Sequence, residues 1–111
     1  MKRFVILESP FAGDVVRNKA YALACMRDSL LNHNEAPFMS HILYTEALDD
    51  MVPEERTIGI DAGLEIGTRA EATIVYIDLG ISPGMKLGIE HAREHGRHIE
   101  YRNLVSWRDD K

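Results

Sequence analysis

Cysteine is almost missing from this chain: Cys25 is the only one among 111 residues, which excludes an internal disulfide and a cysteine-rich zinc site. That lone thiol falls inside a helical pattern, where a buried and inert sulfur is the ordinary case, and the chain reads as cytoplasmic. Long apolar runs are missing too. The first, Phe4-Val5-Ile6-Leu7, stops at Glu8, too soon for a signal peptide or a membrane span, so no membrane partner is expected. Excess positive charge is lacking: 13 Lys and Arg stand against 18 Asp and Glu, a net charge of -5, which leaves no field to hold a nucleic-acid polymer. No Pro/Gly/Ser-rich linker, repeat or low-complexity stretch divides the sequence, so a single domain over residues 1–111 is expected. What is present is globular composition, 45% hydrophobic beside 28% charged, apolar enough to exclude a disordered tail.

Short apolar runs alternate with longer helix-like stretches, which predicts an α/β fold: a small open parallel sheet of four to five strands with helices on both faces. Phe4–Leu7 ends at the turn formers Ser9-Pro10-Phe11-Ala12-Gly13 and reads as the first strand. Asp14 caps a helix from about Val15 to His33, whose apolar face is drawn by Val16, Ala20, Leu23, Ala24, Leu30 and Leu31. Pro37–Tyr44 is expected as a second strand, central in the sheet. Pro53 followed by Glu54-Glu55 opens a helix running to about Arg69. Ala72–Ile77, β-branched and aromatic, is the clearest strand and should be buried and central. Ser82-Pro83 then starts the last long helix, and Gly96 stops it before a strand over His98–Tyr101.

Parallel strands joined by right-handed crossovers place all carboxyl ends on one edge, where open α/β sheets hold ligands. Three segments should meet there: Ser9–Gly13, His41–Thr45 and Asp78–Gly84. Ser9, Pro10 and Phe11 offer a hydroxyl, a rigid turn and a ring near a helix start, which suit a phosphate or a flat base. An ordinary strand-to-helix turn would use the same residues. Asp78 ends the central strand before two glycines and a helix N-terminus, a place from which a carboxylate grips a sugar hydroxyl or a base, or simply caps a turn. His41 and Tyr44 line the opposite wall, and Ser82 and Gly84 can donate to phosphate. His91, His95 and His98 carry helical spacing for one pair but sit among Arg93, Glu94 and Arg97, a solvated face, so neither a metal nor any other cofactor is expected. Gly59, Gly63 and Gly67 recur every fourth residue in the third helical stretch, which predicts a close backbone approach and a homo-oligomer packed through that helix.

Strand, Ser9-Pro10-Phe11, long helix, then strand, Asp78, glycine-bearing loop and helix resemble the nucleoside 2-deoxyribosyltransferase-like fold, a flavodoxin-like topology, over most of the chain. The sequence is most similar to its small uncharacterised domains carried by bacteria and phages. Other relatives are nucleoside deoxyribosyltransferases and deoxynucleotide N-hydrolases, whose helix carries a catalytic glutamate in a pattern like S-G-x-x-x-E-x-G-x-A. Matched without a gap from Gly84 to Ala92, that glutamate falls on Gly88 and the pattern's second glycine falls on Glu90. Helical projection agrees with this register: Met85, Gly88, Ile89 and Ala92 share the inward side and Glu90 points outward.

With the expected nucleophile replaced by glycine, the leading expectation is a domain that binds a nucleotide-type small molecule, a phosphorylated nucleoside or sugar nucleotide, and senses or sequesters it. Net negative charge does not oppose this, because oriented backbone dipoles act locally where net charge is screened. The alternative is an N-glycosidic bond hydrolase or deoxyribosyltransferase acting on deoxynucleosides or deoxynucleotides, with Glu90 as a displaced nucleophile and Asp78 as the acid. A third reading, a partner-binding protein, would make the glycine-striped helix its whole function.

Overall fold

A computed structural model describes residues 1–105 and Trp107. The apolar runs form β1 (Arg3–Glu8), β3 (Ala72–Tyr76) and β4 (His98–Arg102), with β2 at Glu35–Phe38; the helices are α1 (Val15–Asn32), α2 (Ser40–Ala47), α3 (Pro53–Gly67) and α4 (Pro83–Glu94). The four-stranded sheet has the order β2-β1-β3-β4, and every pairing is parallel. This is an open α/β sheet of flavodoxin-like order, whose switch point lies between β1 and β3. β3 is buried throughout, as its β-branched and aromatic composition demands. Ser82 accepts from the Met85 amide and Pro83 occupies the first turn of α4, while Asp14 caps α1 through the Arg17 amide. Among the described residues no helix is long and apolar enough to cross a membrane.

The second strand departs from expectation. β2 covers Glu35–Phe38 and lies at the sheet's edge rather than its centre; Pro37 within it has no N–H to give a second neighbour, which suits an edge. The chain then turns at Met39, whose carbonyl accepts from Ile42 and Leu43 at 3.1 and 3.2 Å. His41 and Tyr44 therefore stand on the helix α2, not on a strand.

The buried side of α1 is also a correction. Asn18, Tyr21, Ala22, Cys25 and Ser29 face inward, while Val16, Leu23, Leu30 and Leu31 are exposed. The inward polar groups are all employed. Asn18 donates to the carbonyls of Phe11 and Ala12, Tyr21 to Asp78, and Ser29 to Glu35, so burying them leaves no unpaired group. Tyr21, Ala22 and Cys25 pack with Val5, Leu7, Ala72, Ile74 and Tyr76 on one side of the sheet, and Val75 with Met85 and Ile89 on the other. Burial pushes the Cys25 thiol well above its ordinary range, as an inert core sulfur requires.

The glycine row of α3 serves contacts inside the chain. A Cβ at Gly63 would stand 2.5 Å from the Ser40 hydroxyl oxygen, one at Gly59 would meet Leu48 at 3.3 Å, and one at Gly67 would meet the Arg97 guanidinium at 3.2 Å. The close approach at Gly59 and Gly63 is thus to the α2 segment of the same chain, and that at Gly67 is to Arg97.

Candidate functional site

A cavity of about 340 Å³ opens over the carboxyl end of β1. Ile6 and Glu8, which share a sheet face because strand side chains alternate, form its floor. Its walls come from Ser9, Phe11 and Ala12 of the loop after β1, from His41 and Tyr44 on α2, from the glycine row of α3, and from Ser82 to Gly88 at the start of α4. Most of this lining is apolar, with a smaller share of polar groups, the usual composition of a small-molecule site. The volume lies low in the roughly 300–1,000 Å³ range of such sites.

Glu8 is the unusual member. Its carboxyl lies where a side chain at position 88 would stand, so that a Cβ on Gly88 would collide with it. The buried carboxylate of Glu35, by contrast, is partnered: it receives Arg3, Arg102 and Ser29. Among the described residues Glu8 has no hydrogen bond or ion pair; the one charge acting on it is that of Arg97. Removal from bulk water raises its pKa to about 8 against the weaker opposing pull of Arg97. At neutral pH it is therefore mostly a neutral acid.

On the α2 side, Ser9 is buried and its Oγ lies 2.8 Å from Nε2 of His41. Burial holds the His41 pKa down at about 4, so the imidazole is neutral at pH 7 and one of these two atoms donates to the other according to its tautomer. Arg97 reaches the same region and donates from Nε to Thr73 Oγ1 at 2.9 Å. At the mouth, Arg56 pairs with Asp50 at 3.6 Å. The Ser82 hydroxyl accepts from the Met85 amide at 3.3 Å, which leaves its own proton free to donate toward the cavity.

Of the ligand-binding residues expected from sequence, Ser9, Phe11, His41, Tyr44, Ser82 and Gly84 line this one cavity, whereas Pro10 and Asp78 do not. Asp78 is engaged elsewhere: it accepts from Tyr21 at 2.5 Å and from the Leu104 amide at 3.1 Å, tying the segment after β4 to α1. Glu90 is exposed on α4, while Met85, Gly88, Ile89 and Ala92 are buried. Neither carboxylate weighed for catalysis from sequence lines the cavity. Glu8 does, and so does Arg97, and neither is singled out by motif. The available signal was positional: Glu8 ends the first apolar run at the edge where ligands bind, and the pattern match places a glycine where a carboxylate is expected. His91 and His95 stack at 4.1 Å at the end of α4, and among the described residues no group of three or more His, Cys, Asp or Glu could hold a metal ion.

Fold and cavity together define a small flavodoxin-like α/β domain with an open cavity at its switch point. The chain belongs to the family described as a domain of unknown function, DUF7768, whose model matches residues 3–102, from the start of β1 to the end of β4. Comparison with curated proteins and with solved structures gave no match.

Proposed function

We propose that this domain binds a nucleotide-type small molecule, a phosphorylated nucleoside or sugar nucleotide, in the cavity over β1, and acts in the cytoplasm by sensing or sequestering it. The observation that carries the reading is convergence: residues from three separated loops and helix starts line a single cavity of about 340 Å³. Phe11 offers its ring to the base or sugar, His41 and Tyr44 close the facing wall, and the Ser82 hydroxyl and the Gly84 amide at the start of α4 receive phosphate where the helix dipole is positive. Arg97 adds a cation to the floor, while Asp78 acts on the fold rather than on the ligand.

Calorimetric titration with a panel of nucleosides, nucleoside monophosphates and sugar nucleotides tests this. At least one should bind, and Phe11→Ala should weaken it ~10-fold or more, equivalent to the loss of one aromatic contact of about 1.4 kcal/mol. Binding by none of them, or equal affinity in the variant, would contradict the reading. The alternative, cleavage of an N-glycosidic bond, needs a reacting carboxyl inside the cavity, and the position of Glu8 favours it as an addition to binding.

A further inference from the structure

We propose that Ser9 and His41 form a nucleophile and base pair that hydrolyses a small acyl ester in the cavity over β1, through an acyl group carried on Ser9 Oγ. The inference goes beyond ligand binding and does not require the ligand to be a nucleotide.

Geometry carries the assignment. Ser9 Oγ lies 2.8 Å from His41 Nε2, within the roughly 2.6–3.2 Å reach that a hydroxyl nucleophile needs to its base. Ser9 follows directly on the last residue of β1, and His41 stands in the first turn of α2, so a strand end and a helix hold the pair in register before any substrate arrives. Deep in a core such a bond would serve packing alone. Here both residues line an open cavity whose surface is mostly apolar, which suits an acyl chain beside the reacting carbonyl. Charge developing on the carbonyl oxygen needs hydrogen-bond donors. Ser40 and His41 line the same cavity from the start of α2, whose N-cap residue, Met39, makes no side-chain capping bond, so the first amides of that helix remain available for the oxygen. Burial also keeps the imidazole neutral at pH 7, the state in which a base accepts a proton.

The step balances without a redox partner. In the tautomer that carries its proton on Nδ1, His41 takes the Ser9 hydroxyl proton on Nε2 as Oγ bonds to the ester carbonyl carbon. The bond from that carbon to the alcohol oxygen breaks, and the proton on Nε2 leaves with the alcohol. Water then adds to the acyl carbon and gives its proton to His41. The bond to Oγ breaks, Oγ recovers that proton, and the free acid departs. One ester and one water become one acid and one alcohol.

Two probes of the whole chain test this: release of p-nitrophenol from p-nitrophenyl acetate and butyrate, and labelling by a fluorophosphonate, which bonds to an activated serine oxygen with loss of fluoride. The native chain should release p-nitrophenol saturably and gain a single adduct that peptide mass spectrometry places on Ser9. Ser9→Ala and His41→Gln should each lower release ~100-fold or more, with circular dichroism checking that both remain folded. If either variant fails to fold, the labelled position in the native chain still decides. Groups facing His41 across the cavity are Glu8 from β1, Asp50, Glu55 and Arg56 at the mouth, and Arg97 before β4; Glu8 gives up its proton at about 8. Release should therefore hold from pH 7 down to about 4 and fall below that as His41 gains a proton, whereas an exposed imidazole would lose activity at about 6.5. No adduct, an adduct on another residue, a fall in release at about pH 6.5, or release undiminished in Ser9→Ala would overturn the pair. Nucleotide binding is read separately by calorimetry, so either reading can fail while the other stands.

Discussion

Glu8 shows how one residue's surroundings set its chemistry. A half-buried carboxyl shielded from bulk water at the cavity floor is easier to protonate in the folded chain than in the unfolded one, where its pKa is near 4.5, against about 8 when folded. The folded state therefore binds more protons between these values, and stability attributable to Glu8 falls as pH rises through that window. At ~1.4 kcal/mol per pKa unit the loss reaches at most ~5 kcal/mol, reduced by water entering the cavity. Thermal unfolding of the native chain and Glu8→Gln from pH 5 to pH 9 should show the variant gaining relative stability toward alkaline pH; parallel curves would contradict the assignment. Gly88→Ala should cost ~1 to 3 kcal/mol as an overpacking change, and Glu8→Ala in the same chain should recover part of that, a coupling readable by a double-mutant cycle. Glu8 was visible in the sequence only as the residue that ends an apolar run. Its isolation depends on what α4 fails to supply at position 88, a tertiary fact.

Helices show the limits of periodicity more than strands do. The caps at Asp14 and Ser82, the start at Pro53 and the buried strand from Ala72 are local chemistry, and they were legible for that reason. The inward face of α4 was legible too, since Met85, Gly88, Ile89 and Ala92 form one unambiguous stripe. In α1 the large aliphatic residues Val16, Leu23, Leu30 and Leu31 point out, because the positions that touch the sheet hold Asn18, Tyr21 and Ser29 beside Ala22 and Cys25, and their polar atoms find partners outside the helix. No count of apolar spacing anticipates that. At α3 the glycine row predicted a close neighbour but could not name it. Gly63→Ala should destabilise the chain by ~1 to 3 kcal/mol through collision with Ser40, and Ser40→Gly should relieve most of it, as denaturant titrations of both variants would show. An uncoupled, additive pair of effects would contradict the α2–α3 packing.

Across the whole molecule, one buried carboxylate joins elements that the sequence keeps far apart. Glu35 on β2 receives Arg3 from β1 at 2.8 Å, Ser29 from α1 at 2.8 Å and both amino groups of Arg102 from β4 at 3.0 and 3.1 Å. Burial pushes its pKa up, but the hydrogen bonds from Arg102, Arg3 and Ser29 outweigh that and hold it at about 2. A depressed folded pKa stabilises above the unfolded value near 4.5 and is lost as pH falls toward 2. Glu35→Ala, which leaves the largely buried Arg102 side chain with Glu100 as its remaining carboxylate partner, should cost ~3 kcal/mol at neutral pH and progressively less below pH 4, measured by urea unfolding. A cost below 1 kcal/mol would show the network to be peripheral.

The sheet order and the ligand edge follow from connection rules that a sequence obeys, and this is why Ser9, Phe11, His41, Tyr44, Ser82 and Gly84 meet although an edge strand and a helix, not one central strand, carry the chain from Glu35 to Ala47. Whether they meet around a ligand is open to one direct measurement: amide chemical shifts of the whole labelled chain during titration with nucleoside monophosphates. The amides of Ser9, Phe11, His41, Gly84 and Gly88 should move together and saturate, with those of Glu90 and of the exposed α1 residues Leu23 and Leu30 unmoved. No saturable shift with any of these compounds, or shifts gathered on the outer face of α1, would contradict a nucleotide site over β1.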